Sequence, residues 1–158
     1  MSHKDIYVRI RAAVVIAFVC ILMIYTITMI LGMEQLTLDE EAPIRVTAWL
    51  FIALGTAVPC LFALYFAWMI SVFVKRDKSF SLYTAKMLKN ISNCALIDAL
   101  YFLAANVVMF VLNYNHPGIA LISLALILLA LAIGIAFAAL ARFVQKAADL
   151  QEESDLTV

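Results

Sequence analysis

Asp98 is the one charge inside the long apolar stretches of this 158-residue chain, and it lies between Ile91 and Leu112. An ionised carboxylate about two turns into a membrane span costs about 2.5–3.5 kcal/mol even on lenient insertion scales, so it should face protein or water. At helical spacing Asn90, Cys94, Asp98, Tyr101 and Ala105 form one stripe, with Asn93 and Asn106 on adjacent faces. A polar seam of this kind suits a proton-linked or ligand-linked carboxylate. It also suits a carboxyl group that hydrogen-bonds Tyr25, Thr26, Thr28 or a backbone carbonyl and so fixes helix register. No opposite charge lies within any apolar stretch to pair with it.

Other chemistry finds little support. Cys20, Cys60 and Cys94 are odd in number and show no C-x-x-C spacing, which argues against a disulfide framework. His3 and His116 fall in segments expected on opposite sides of a membrane, so neither a zinc nor a haem site is expected, and no cofactor. The chain has no G-x-S-x-G, no H-E-x-x-H and no phosphate-binding glycine loop, with four glycines in all. An enzyme is the least supported class.

The elements that must hold Asp98 follow from composition. Apolar residues make up 66% of the chain, against a globular norm of about 45–50%, charged residues 14%, and the mean hydropathy is +1.05. Four stretches carry this excess, at 12–32, 46–74, 91–112 and 119–141. At 1.5 Å per residue the first, third and fourth reach about 32–35 Å, enough for a hydrocarbon core of about 30 Å. The second is longer than needed, and Pro59 is the natural place for it to bend. The expectation is an all-α integral membrane protein, an antiparallel four-helix transmembrane bundle. The first stretch is too long for a signal core and ends without a small-x-small site, so it should stay as an anchor.

Lys and Arg between the stretches split ten to one: three in 1–11, five in 75–90 and two in 142–158, against Arg45 alone in 33–45 and none in 113–118. Both termini and the middle loop are therefore expected in the cytoplasm of a bacterium, with the chain in its inner membrane. The basic loops suit this topology and attraction to anionic lipid, rather than direct nucleic-acid binding. Asp39, Glu40 and Glu41 before Pro43 read as a helix start. Phe80, Tyr83 or Thr84, Met87 and Ile91 read as an amphipathic lead-in at the interface, capped by Ser79 or Ser81. Asn113 to Gly118 is a short breaker-rich turn, making spans 3 and 4 antiparallel neighbours.

Ala130, Gly134, Ala138 and Ala141 form a small-residue row that admits a close helix, either within the bundle or from a second copy in a homo-oligomer. The division expected is a membrane domain, 1–145, and a cytoplasmic amphipathic tail, 146–158. Phe143, Ala147 and Leu150 share one face of the helical extension, which is either a docking surface or a tail lying on the membrane. Leu150, Glu152, Glu153, Asp155 and Leu156 are the candidate partner-docking residues, and Asp98, Asn93, Asn106 and Tyr101 the candidate intramembrane site.

The closing run Asp149-Leu150-Gln151-Glu152-Glu153-Ser154-Asp155-Leu156-Thr157-Val158 resembles the end of a bacterial membrane family, domain of unknown function 2975, the YoaS-like proteins. Members typically end in a run like E-L-x-E-E-N-D-L-T-I, from which this chain departs by Asp, Ser and Val. Lys78-Ser79-Phe80-Ser81 is similar to the family's G-x-P-F-S-like turn, without its glycine and proline. The resemblance implies a small four-span inner-membrane protein whose gene often neighbours that of a Cro-type helix-turn-helix regulator. It implies no catalytic residues.

Three functions are weighed. The first is a regulatory or interaction protein that signals to a cytosolic partner, such as a helix-turn-helix transcriptional regulator, through the tail. The second is a small transporter or channel subunit that uses Asp98. The third is an immunity protein against membrane-active peptides, compatible with the acidic outer loop.

Overall fold

The computed structural model describes residues 3–38, 43–75 and 81–156, with side chains placed at 7–36, 43–74 and 81–153. Four helices account for nearly all of it: α1 (His3–Leu38), α2 (Pro43–Lys75), α3 (Leu82–Val111) and α4 (Pro117–Leu156). Each is long and apolar enough to cross a membrane. All four outrun the stretches read from hydropathy, because apolarity ends at the bilayer surface whereas the hydrogen-bond ladder, once nucleated, propagates through flanking Lys, Glu, Gln and Ala. α2 runs through Pro59 as one helix.

Local chemistry sets the described helix ends. Ser81 is extended (φ −129°, ψ 152°), and its Oγ accepts a 3.2 Å hydrogen bond from the Thr84 N–H. Of the two serines considered as caps, Ser81 does the work, while Ser79 lies outside the described residues. The lead-in is not a separate surface helix. It is the first part of α3, in line with the span, and it buries Thr84, Met87 and Ile91. At the other end of α3, Asn113 adopts a left-handed φ of 57°, a conformation asparagine tolerates better than most residues. The Tyr114 N–H closes the turn on Met109 O at 2.9 Å. Pro117 then opens α4, where a missing N–H costs nothing, and His116 Nδ1 accepts from the Gly118 N–H at 3.2 Å.

The helices pack in chain order, and α3 on α4 is the most extensive pairing. Ser92 Oγ donates to Gly134 O at 2.7 Å, and Leu96 lies where a Gly134 side chain would begin. Gly134 of the small-residue row is thus covered by α3. Ala85 and Leu88 of α3 join Ala141 and Val144 of α4 in a core that Ile70 and Phe137 flank. α4 continues through residues 145 and 146 without a break. Its buried face there is Val144 and Ala148, while Phe143 is 72% and Leu150 58% exposed.

α1 is held differently. Among the described residues it packs on α2 alone, and its backbone does not come within packing distance of α4. Two attachments mark that contact: the Arg11 guanidinium lies 4.3 Å from the centre of the Trp68 ring, and Tyr25 hydrogen-bonds Thr56 at 2.7 Å. Arg11 also donates to the Tyr7 hydroxyl. Phe73 stacks on Tyr83 at 4.1 Å, joining the end of α2 to the start of α3.

Candidate functional site

α1 and α4, the first and last helices, flank a chamber of about 840 Å³ whose remaining wall is α2 and α3. The lining is overwhelmingly aliphatic, with Ile24 and Leu31 from α1, Leu50 from α2, and Ile122, Leu126 and Ile127 from α4. Asp98 is the one charged residue in the described wall. It enters from α3 near mid-span, where Cys60 of α2 offers its thiol to Oδ2 at 3.8 Å. Asp98 Oδ1 is out of reach of solvent and has no hydrogen-bond partner among the described residues.

A second polar atom is left in the same condition. Trp49 of α2 also lines the chamber, and its Nε1–H is buried with no partner among the described residues. Its ring meets Phe102 of α3 edge-on, with centroids 6.5 Å apart. Phe102 follows Asp98 by one turn, so the indole and the carboxyl group stand at successive levels of one wall. By contrast Thr56, also in the lining, is satisfied. It donates to Ala53 O at 2.7 Å, which makes the Tyr25 hydroxyl the donor in the Tyr25–Thr56 bond. Thr28 turns back on Ile24 O at 2.9 Å, so neither Tyr25 nor Thr28 serves Asp98. Thr26 faces outward.

The polar stripe of α3 divides among several surroundings. Asn93 faces outward. Tyr101, 40% exposed, lays its hydroxyl against Gly55 of α2, in space that only a glycine leaves open. Asn106 is buried, donates to Phe102 O at 2.8 Å and accepts from Asn115 Nδ2 at 3.3 Å, tying the α3–α4 turn to α3. Of the four candidates, Asp98 alone lines the chamber. At the end of the protein that carries the turn, a second cavity of about 610 Å³ is lined by Gln35, Arg45, Tyr114, Asn115 and His116. It shares Val46, Trp49 and Ile119 with the chamber, so a polar vestibule adjoins an apolar room.

Among the tail candidates, Leu150, Glu152 and Glu153 are exposed, while Asp155 and Leu156 form the last turn of α4, their side chains lying outside those described. Among the described residues no three His, Cys, Asp or Glu side chains converge as a metal site requires. Sequence reasoning does not single out Cys60 as the partner of Asp98, nor Trp49 and Thr56 as sharing its wall. Their types are unremarkable in a membrane helix, and only the register of α2 against α3 brings them there.

The family described as Protein of unknown function (DUF2975) matches residues 5–158. The chain belongs to this family. The likeness of its closing motif to DUF2975 members is thus upheld over nearly the whole length. Uncharacterized membrane protein YoaS of Bacillus subtilis (strain 168) is 33% identical over 105 residues, 65% of this chain and 66% of that relative. The alignment spans just under two thirds of the relative's length. No solved structure matches. Four candidate spans and this kinship make the chain a small membrane protein of the DUF2975 family.

The orphaned carboxyl oxygen gives an expectation for stability. Replacing a buried, half-satisfied polar group by an apolar one of similar size removes a desolvation penalty of about 1–3 kcal/mol. Asp98→Leu should therefore raise the melting temperature in detergent, and Asp98→Asn should leave it nearly unchanged. A lower melting temperature for Asp98→Leu would mean that the Cys60 contact is a structural tie.

Proposed function

We propose that this protein is a membrane-embedded regulator in which occupancy of the chamber is reported to a cytosolic partner through the end of α4. The observation that carries this reading is continuity. One 40-residue helix lines the chamber through Ser123, Ile127 and Ala130 and then runs unbroken to Leu156. From Ala130 to Leu150 is about 30 Å along the axis, so a change at one end has a stiff element to carry it to the other.

The topology that completes the reading has alternating helix directions, both termini in the cytoplasm and the vestibule outside, in a bacterial inner membrane. The ten-to-one split of basic residues supports it. So do the contacts, since Trp49 meets Phe102 while Cys60, further along α2, meets Asp98, earlier on α3. Phe143 and Leu150 then present apolar surface beside Glu152 at the cytoplasmic end, a surface suited to a basic partner such as a helix-turn-helix regulator.

Among the described residues the last buried one is Ala148, so deleting 149–158 leaves the described α3–α4 core in place. The truncated protein should melt within about 2 °C of the full chain, because surface changes away from the core move stability by about 0.5 kcal/mol or less. It should also fail to retain the neighbouring regulator on co-purification from detergent. Equal retention of that regulator with and without 149–158 removes the regulatory reading. A carrier that uses the same chamber then takes its place, with Asp98→Asn blocking flux into proteoliposomes as its test.

A further inference from the structure

We propose that the chamber is a binding site for a hydrophobic amine, whose protonated nitrogen pairs with the Asp98 carboxyl group. This deepens the reading of the chamber as the sensed site and rests on it. Asp98 is the one charged residue in an otherwise apolar described wall, and one oxygen of its carboxyl group has no partner among the described residues. An apolar cavity with a single ionisable group in its wall calls for an occupant that is apolar over most of its surface and carries one complementary charge.

The wall selects the ligand's class by charge and polarity. Asp98 is its one described charge, so a cation is favoured and an anion opposed. A purely aliphatic occupant, such as a lipid chain, would cover Ile122 and Leu126 but leave the Asp98 carboxyl group without a complementary charge. Trp49 packs on Phe102, four residues after Asp98, which sets the indole about one helical turn, ~6 Å along the axis, from the carboxyl group. The aromatic faces of Trp49 and Phe102 add attraction for the cation. A volume of about 840 Å³ is in the range for molecules of drug size.

The route in is also visible. Among the described residues α1 and α4 border the chamber without packing on each other, so its open side is toward lipid tails. A hydrophobic amine already dissolved in the bilayer can enter sideways, nitrogen directed at Asp98.

The test uses the full chain in nanodiscs with Trp68→Phe, which leaves Trp49 as the sole indole, since the sequence has two tryptophans and Trp68 lies outside the chamber wall. The probe is 2-(4-bromophenyl)ethylamine, whose bromine quenches a nearby indole, and the neutral control is 2-(4-bromophenyl)ethanol. Saturable quenching by the amine is expected, reversed by unbrominated 2-phenylethylamine and shifted at least tenfold to higher concentration by Asp98→Asn. The alcohol should quench both proteins alike. A midpoint for the amine that matches the alcohol's, or that Asp98→Asn leaves in place, overturns the proposal, as does an absence of saturable quenching. Should Asp98→Asn not fold, Ala130→Phe, which fills the chamber, must abolish the competition, and unchanged competition overturns the proposal equally. The measurement involves no cytosolic partner. Amine binding that persists while 149–158 proves irrelevant to the regulator therefore refutes only the regulatory reading, and lost binding with partner capture intact refutes only this one.

Discussion

Gly134→Leu should unfold the α3–α4 pair in detergent, with a loss of stability at or beyond the upper end of the about 1–3 kcal/mol usual for overpacking. A β-carbon at Gly134 would stand 3.1 Å from both Cγ and Cδ2 of Leu96 and 3.4 Å from Ser92 O. The first two contacts involve a side chain that can give by a few tenths of an ångström, whereas the third is backbone. Gly134→Ala should therefore be tolerated at a modest cost. Leucine adds three more carbons in the same direction, and they fit only if the helices separate, which also breaks the Ser92 Oγ–Gly134 O bond. Ser92→Ala isolates that bond and should cost about 0.6 kcal/mol, the mean for interhelical hydrogen bonds in membranes. Unfolding by graded denaturing detergent orders the three variants. A Gly134→Leu protein as stable as the parent would mean that α3 and α4 do not meet at this level.

Thiol labelling of intact cells should give an almost all-or-none pattern. With the native cysteines replaced, single cysteines at Thr37 and at His116, which is exposed beside the vestibule, should react with an impermeant maleimide. Cysteines at Ser79 and Ser154 should react only after the cells are permeabilised. The expectation follows from ten of eleven Lys and Arg falling in 1–11, 75–90 and 142–158, and translocating such clusters is strongly disfavoured. Reaction at Ser154 in intact cells would invert the protein, place the vestibule in the cytoplasm and remove the partner-docking role from the end of α4.

The four helices were legible because hydropathy over about twenty residues is a strong, local signal, and Ser81 was legible as a cap because capping chemistry is local too. Which face of each helix meets protein was not. In a membrane the lipid-facing side is as apolar as the interior, so the periodicity that betrays a buried face in water is absent. Trp49 and Phe102 thus gave no sign that they share a wall with Asp98. Asn106 read as part of Asp98's seam because helical spacing puts them near one face, but its partner, Asn115, comes from a turn whose path no spacing rule specifies. At the end of α4 the sequence offers two apolar rows. Phe143 and Leu150 are the larger residues, yet the smaller Val144 and Ala148 are buried, because the start of α3 approaches closely enough to exclude bulk.

The attachment of α1 to α2 alone has a mechanical meaning. Hydrocarbon tails push sideways on everything embedded among them, and in a closed ring of helices that squeeze is borne by opposing neighbours. Here α1 has no strut on its α4 side among the described residues, so the load falls on one interface, fastened at Arg11–Trp68 toward one end and Tyr25–Thr56 nearer the middle. Beyond Tyr25, Gly32 adds a further contact, its missing side chain letting Leu50 of α2 settle against it. The width of the opening is accordingly a property shared between protein and solvent, and a change in how tightly the lipids pack acts on it as a force rather than as a surrounding.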